Sequence, residues 1–481
     1  MENMKDTQWD FALVLRQKYQ EEIFRRRLRE LGVRLEAPVE LVDIKAEEKI
    51  PEDGYQITAL TKDRNTGVEE TIKCKYLVGA DGGRSFVRRA LDVPFDGSTS
   101  EDKWVRIDGV IETDMPKTRV YAAIESPSHG NVLWAALDHG ATRIGFAFTA
   151  ERQKAYPEFN EAAAVAEAIA SVKPFSLKFK QVDWFTVYSV GQRIARNFFM
   201  KDCIFLAGDA CHTHSSGAAQ GMNTGLHDAC NLGWKLSMVL DGIAPPSLLQ
   251  SYEDERLPNV QKLINYDKDI SRLMTMQLPI GWKGDPNADP NEILGVVMAE
   301  AATFTSGLSI AFDINTINVK GSFSASSDPA PVSPGQRGPD VQLQKPGTME
   351  MTRLHVQTPN TARFHVITFS GEPEHTSSNL KSFTEAVGAS KIFANATLPI
   401  SWLVIPAKSG PSAFELLGVA PLGKVFYDEK QTAHVRYGVD VKKGAIFVLR
   451  PDGWVGTAIE LNGKAVEELE MYFTGIFLIG T

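Results

Sequence analysis

The fold of this chain turns on "IFLAGDACHTHSSGAAQGMNTGLHDACNLGWKL", Ile204 to Leu236. With Cys203 in front, its first part is a short apolar run suited to a buried strand, and it ends on Gly208 and Asp209. A loop of small residues follows, "CHTHSSGAAQG", and then "MNTGLHDACNLGWKLSMVL" spaces its apolar and small residues as a helix does. Small side chains let backbone approach a ligand closely. A helix starting at Gly221 to Asn223 turns N–H groups and the positive end of its dipole toward that ligand. A carboxylate at a strand end accepts hydrogen bonds from sugar-like hydroxyls. Strand, acid, glycine loop and helix together describe a pocket for a nucleotide with a polyol chain and an anion-accepting ring.

Two other chemistries fit less well. His212, His214, Cys211 and His227 offer metal-ligating atoms, but a closed site needs third and fourth ligands at recognisable spacing and none stands out, so no metal is expected. "GDACHTHSSG" lacks the G-x-S-x-G elbow, and Cys211 has no evident base beside it. No side chain is assigned as catalytic acid, base or nucleophile.

A second stretch, "YLVGADGGRSFVRRAL" (Tyr76 to Leu91), repeats the logic: a short buried strand ends in Gly79, Ala80, Asp81 and Gly82, and a helix begins near Ser85. Serine is a natural N-cap, and the orphan donors of that helix are expected to face phosphate.

Around these motifs the chain alternates in character. "FALVLRQKYQEEIFRRRLRELGV" predicts an amphipathic first helix, with the arginines of "FRRRLRELGVR" on a solvated face. A strand and a β-hairpin turning at Asn65 to Gly67 follow. "KWVRIDGVIET", "TRVYAAIES", "NVLWAALD" and "TRIGFAFTA" predict an antiparallel sheet, followed by a helix at "EAAAVAEAIASV" and a further strand in "LKFKQVDWFTVYSV". Helices dominate from Met222 to Met276. At "GSFSASSDPAPVSPGQRGPDVQLQKPG" periodicity vanishes and a linker is expected, before a small α/β domain.

With 481 residues, 43% of them hydrophobic, the chain can bury the cores of two or three domains. A net charge of -9 argues against a nucleic-acid partner, which demands clustered cations. Four cysteines without CxxC spacing predict reduced thiols. No apolar run reaches membrane-spanning length and the start "MENMKDTQWDF" lacks a signal peptide's features, so a cytoplasmic protein with no membrane partner is expected.

On the two acid-bearing motifs the sequence resembles the class A FAD-dependent aromatic hydroxylases, and within them the phenol 2-monooxygenase type. The resemblance takes in "DWFTVYSVGQRIARNF", "SYEDERLPNVQKLINYDKDISRL" and "PGQRGPDVQL" as well. It implies an α/β fold: a Rossmann-like FAD-binding domain of the GR2 type in two parts (1–98 and 187–320), an antiparallel substrate-domain sheet (99–186), a linker (321–347) and a thioredoxin-like C-terminal domain (348–481) that helps assembly, as in a homodimer. It implies that Gly208, Asp209 and the run Ala219, Gln220, Gly221, Met222 and Asn223 bind FAD, with Asp81, Gly82 and Arg88 contributing to FAD and nicotinamide-nucleotide binding. NADPH and O2 are then co-substrates. Arg143 lies where a substrate-lining strand of the family runs, and Tyr188 is a second substrate candidate.

Three departures stand out. Ala219 replaces a usual glycine. Gly145 stands where the phenol hydroxylase type has a substrate-directed tyrosine. The strand and GxGxxG helix with which family members begin are not found ahead of the first helix, so the FAD-binding domain reads as incomplete: either the chain is a fragment, or it is a diverged member with weak or lost FAD affinity. The leading expectation is a monooxygenase hydroxylating a phenolic or polyketide-derived ring in secondary metabolism. The alternatives are a non-catalytic binding or assembly partner, and a reductase or epoxidase on the same scaffold.

Overall fold

The computed structural model describes residue 4 and residues 6–215, 220–325 and 332–479. The chain divides into two compact units, one built from Ala12–Gly225 with Val260–Ala301, the other from Met1–Phe11, Leu226–Asn259 and Ala302–Thr481.

The first unit opens with α1 (Gln17–Glu30), which buries none of its residues and pairs Arg27 with Glu30 on an exposed face, as the arginine pattern predicts. Strands β1 (Val39–Ala46), β2 (Ile57–Asp63) and β3 (Glu69–Cys74) form an antiparallel sheet. Its hairpin turns at Asn65 to Gly67, where the Asp63 carboxylate accepts the Asn65 and Thr66 N–H groups. After β4 (Leu77–Gly79) and α2 (Phe86–Ala90) come β5 (Phe95–Thr113), β6 (Tyr121–Ser126), β7 (Gly130–Ala136), β8 (Thr142–Phe148), α3 (Ala150–Gln153), α4 (Glu161–Ser171) and β9 (Leu177–Ala195). Then follow β10 (Phe199–Met200), β11 (Ile204–Leu206), β12 (His212–Thr213), the start of α5 (Gly221–Leu240), the later part of α6 (Gln250–Met274) and α7 (Pro290–Glu300); Leu226–Asn259, with the rest of α5 and the first part of α6, belongs to the second unit.

The expected antiparallel sheet has six strands in the order β12-β9-β5-β8-β7-β6. It reaches beyond 99–186 at both ends, because β5 and β9 are 19-residue strands paired along most of their length. One face carries Val105, Ile107, Trp134, Ile144 and Phe146 against Ala164 and Ala168 of α4, whose small side chains allow close approach. Asn160 caps that helix by accepting the Ala163 N–H. On the opposite face Trp104 and Ala147 pack with Ile270, Leu273 and Met274 of α6 and Leu294 of α7.

A small sheet, order β10-β11-β4, positions the two motifs. Only Gly79 of β4 is buried and Val78 is 43% exposed, whereas the sequence predicts a wholly buried strand; β4 is an outer strand of this sheet, with β11 on one side. Gly79 is required by packing. A Cβ there would lie 2.8 Å from the Val87 Cβ and 3.0 Å from Leu206 Cδ2. Gly79→Ala is therefore expected to lower stability by about 1–3 kcal/mol through overpacking, read as a lower urea midpoint; an unchanged midpoint would show that α2 can simply slide away.

In the second unit, α8 (Ala302–Thr305), β13 (Gln342–Gln344), β14 (Met351–Arg353) and α9 (Leu354–Gln357) lead into β15 (Phe364–Gly371), α10 (Pro373–Ala389), β16 (Ile400–Pro406), α11 (Ala413–Leu417), β17 (Lys424–Val425), α12 (Thr432–Tyr437), β18 (Ala445–Leu449), β19 (Val455–Glu460) and α13 (Ala465–Thr474). The five-stranded sheet runs β17-β16-β15-β18-β19, with β15 parallel to β16 and antiparallel to β18. Every residue of β15 and β18 is buried because both faces are covered. Val366, Val404 and Ile446 pack with Leu380, Phe383, Leu469 and Phe473; Ile367, Phe369 and Phe447 pack with Tyr437 on the other side. This is the small α/β domain expected of the C-terminal third.

The expected linker is corrected over its described residues. Gly335 donates its N–H to Val455 O and accepts the Phe312 N–H, and β13 pairs with β14. Gly335 there supplies a turn, not freedom: it has φ +84°, and a Cβ would sit 2.1 Å from Phe312 O. Trp454 is core, stacked on Phe312 and donating its Nε1–H to Ile310 O. Among the described residues no helix is long and apolar enough to cross a membrane.

Candidate functional site

Strands β4 and β11 pair in parallel, Leu77 with Ile204, Val78 with Phe205 and Gly79 with Leu206. Both therefore end at the same edge of the sheet, and the loops bearing Asp81 and Asp209 leave it side by side. The carboxyl ends of parallel strands are where open α/β sheets receive ligands. Arg88 joins the two loops. Its guanidinium donates to Gly83 O (2.9 Å) in the first and to Ala210 O (2.6 Å) in the second, while lying 3.8 Å from the centre of the Phe95 ring.

The donors at the start of α2 do not face outward as the sequence suggests. The Asp81 carboxylate accepts the N–H groups of Phe86 (2.6 Å) and Val87 (3.1 Å), and Ser85 Oγ accepts that of Arg88 (2.9 Å). A five-residue helix has few donors to offer, and its own loop acid has taken them. Gly82, at φ +82°, leaves open space above the loop.

Asp209 is presented differently. It is exposed on a single tight turn, Gly208 to Ala210, with Gly208 at φ +61°. That turn rests on α5 through glycine: a Cβ on Gly225 would be only 3.6 Å from the Gly208 Cα. Two side-chain-free residues thus bring the acid beside the start of α5, where Gln220 and Gly221 are half-buried and Met222 and Asn223 exposed. Ala219 lies outside the described residues.

Ser215 is anchored by Asp267, which sequence reasoning missed. This buried carboxylate accepts the Ser215 N–H (2.7 Å) and Oγ–H (2.5 Å) and the Gln192 Nε2–H (2.8 Å). His214 stands beside Gly221, and burial pushes its imidazole below the ordinary 6.5, with Asp267 opposing, so the ring is neutral at pH 7.

Arg143 and Tyr188 fall on one face of the six-stranded sheet but in different settings. Arg143 makes a bidentate pair with Asp108 (2.7 and 2.8 Å) beside the Trp184 ring. Tyr188 sits opposite Trp104 and packs into the cluster beneath α6 and α7.

These residues fit a flavin dinucleotide. An exposed acid at a strand end suits polyol hydroxyls, a glycine pair admits close approach, and a helix start supplies positive potential. The comparisons with known proteins agree. Residues 1–267 match the FAD binding domain family, and residues 411–480 match the phenol hydroxylase C-terminal dimerisation domain. A phenol 2-monooxygenase, fsqG, of Aspergillus fumigatus is 28% identical over 88% of this chain and 74% of its own length. A 3-hydroxybenzoate 4-monooxygenase of Comamonas testosteroni is 29% identical over 85% of this chain and 69% of its own. Among solved structures, the flavin-dependent monooxygenase PieE in complex with FAD and substrate shares the fold, with a TM-score of 0.69 at 20% identity over 96% of this chain and 80% of its own. The chain belongs to the FAD-binding-domain family, and within it to the FAD-dependent monooxygenases of the class A, phenol 2-monooxygenase type.

Proposed function

We propose that this protein hydroxylates a phenolic or polyketide-derived aromatic ring in secondary metabolism, with FAD as cofactor and NAD(P)H and O2 as co-substrates. In this reading residues 1–98 and 187–320 contribute the flavin-binding part and 99–186 the substrate sheet. The observation that carries it is the parallel pairing of β4 with β11, which sets the Asp81 and Asp209 loops at one sheet edge. The named activities of the fungal and bacterial relatives support the reaction class. The match over residues 411–480 supports a homodimer, and four cysteines outside any disulfide support a cytoplasmic setting.

Asp209 accepts hydrogen bonds from the polyol chain, and Gly208 lets the backbone come close. The start of α5 faces the ring system, favouring negative charge there through its dipole. Asp81 and Arg88 act one step removed, by holding the loops in place. Bound FAD supplies the electron transfer and oxygen activation that side chains lack; the protein's part is orientation and exclusion of water.

Titration of the purified full chain with FAD, followed by visible absorbance, tests this. Asp209→Ala is expected to weaken FAD binding about 10- to 100-fold, the range of one or two charge-assisted hydrogen bonds, with an unchanged melting temperature because the side chain is exposed. A wild-type protein that takes up no FAD at saturation overturns the proposal in favour of a non-catalytic binding or assembly role.

A further inference from the structure

We propose that Ser128 is a nucleophile activated by His129 and Glu167, and that with it the chain hydrolyses short acyl esters, an activity carried by residues outside the flavin loops.

Strands β6 and β7 form a hairpin in which Ser126 pairs with Gly130, so Pro127, Ser128 and His129 make up its loop. Gly130, at φ +65°, closes that loop in a left-handed shape that costs glycine least. Ser128 is exposed at the tip, whereas the His129 side chain is 1% exposed and stands edge-on to Phe146. Ser128 Oγ lies 2.8 Å from His129 Nδ1, and His129 Nε2 lies 2.8 Å from Glu167 Oε2 on α4. A hydroxyl within reach of a base whose far side is held by a third group is the arrangement that activates a serine.

The place of each proton follows from Glu167. Burial would raise its carboxyl, but hydrogen bonds from Tyr156 and His129 and the charge of Arg152 outweigh burial and hold it below the ordinary 4.5. An ionised carboxylate only accepts, so His129 Nε2 carries a hydrogen. Burial lowers the imidazole below the ordinary 6.5, with Glu167 opposing, so the ring is neutral at pH 7. Nδ1 is then a bare acceptor, and Ser128 Oγ–H donates to it. Arg152 donates from Nη1 to Glu167 and from Nη2 to Ser128 O, which sets positive charge beside the residue on which an oxyanion would form.

In the reaction Ser128 Oγ bonds to the acyl carbon of an ester while its proton passes to His129 Nδ1, and that proton leaves with the departing phenolate or thiolate. Water then attacks the acyl-serine, Nδ1 takes a proton from it and returns that proton to Oγ, and a carboxylic acid is released. An exposed tip suits a short acyl group on a phenol or thiol, a leaving group that departs with little assistance.

Incubation of the full chain with p-nitrophenyl acetate tests this, with nitrophenol release followed by absorbance and the acetylated residue located by mass spectrometry of a digest. Wild type is expected to acetylate Ser128 ahead of every other serine. Ser128→Ala, at an exposed position, is expected to keep the melting temperature and to slow release about 100-fold or more, the range of a positioned base acting on its nucleophile. His129→Gln is expected to suppress acetylation of Ser128 to a similar degree. Glu167→Gln is expected to lower it about 10-fold or more relative to the lysines in the same digest, a ratio that general loosening of the fold would not reduce. Acetyl groups spread over lysines and other serines with Ser128 unfavoured, unchanged release in Ser128→Ala, or full acetylation of Ser128 in His129→Gln overturns the proposal. The preference for Ser128 in wild type decides the matter should the variants of the buried pair fold poorly. No FAD is needed, so the outcome is read apart from flavin uptake.

Discussion

Glu255→Ala is expected to destabilise the protein by about 3–5 kcal/mol, because it strands buried charges instead of merely deleting a contact. Glu255 is 1% exposed on α6 and accepts hydrogen bonds from Asn231 (2.7 Å), Lys235 (2.9 Å), Asn315 (3.0 Å), Asn318 (2.8 Å) and Arg450. Within the second unit, this one carboxylate ties α5 and α6 to the strand end at Arg450. Burial alone would raise its carboxyl; Arg450 and then Lys235 outweigh burial and hold it well below the ordinary 4.5. Burial also lowers the Lys235 ammonium to about 8, with Glu255 opposing. Without Glu255, Lys235 loses its proton more readily still, and among the described residues Arg450 keeps only Asp452 as an acidic partner. The pH dependence follows from the depressed carboxyl. Its contribution is present above pH 4.5 and fades as the pH falls below that value, since the unfolded chain then binds a proton that the fold resists. Urea unfolding should therefore show wild type losing stability below pH 4.5 more steeply than Glu255→Ala. A loss under about 1 kcal/mol at pH 7, in the range of an exposed ion pair, would mean that water replaces the carboxylate.

None of that cluster is visible in "SYEDERLPNVQKLI", which reads as an ordinary charged helix. Helical periodicity shows which positions share a face; it does not show that a face will be covered by polar partners 60 and 195 residues further on. What was legible is local. The strand, acid and glycine loop around Asp209 form one continuous segment, and so do those around Asp81. The antiparallel sheet announced itself by alternation. Roles that depend on tertiary neighbours were not legible. The motif marks Asp81, yet its hydrogen bonds go to the start of α2, a helix only five residues long. The sequence shows a gap at Gly145, but what fills it is set by strand register, which places Arg106 opposite. Composition misled at the described end of the supposed linker, where Gly335 makes a tight turn bonded to Phe312 and Val455.

Arg88→Met is expected to weaken FAD binding about 10- to 100-fold and to lower stability by about 2–4 kcal/mol: the charge-assisted bond to the buried Ala210 carbonyl counts for about 1.5–3 kcal/mol, and the one to the part-buried Gly83 carbonyl adds less. The two effects have different origins, which makes them separable. The stability loss comes from leaving Gly83 O and Ala210 O without their donor and from removing a cation from the face of Phe95. The affinity loss has a geometric cause: with the bridge gone, the turn of Asp209 is no longer fixed relative to the loop of Asp81, and a ligand must order both as it binds. Gly79→Ala supplies the control, since it strains the same pair of strands by pressing on Val87 and Leu206 while leaving both Arg88 contacts chemically intact. If Arg88 acts as a positioning residue, FAD affinity should fall much further in Arg88→Met than in Gly79→Ala when the two are compared at equal loss of stability. Lysine at position 88 should recover part of the stability by restoring charge and stem packing, but little of the affinity, because an ammonium cannot span two carbonyls with a rigid fork. Equal falls in FAD affinity for Arg88→Met and Gly79→Ala would instead mean that the binding loops respond to the stability of the sheet as a whole.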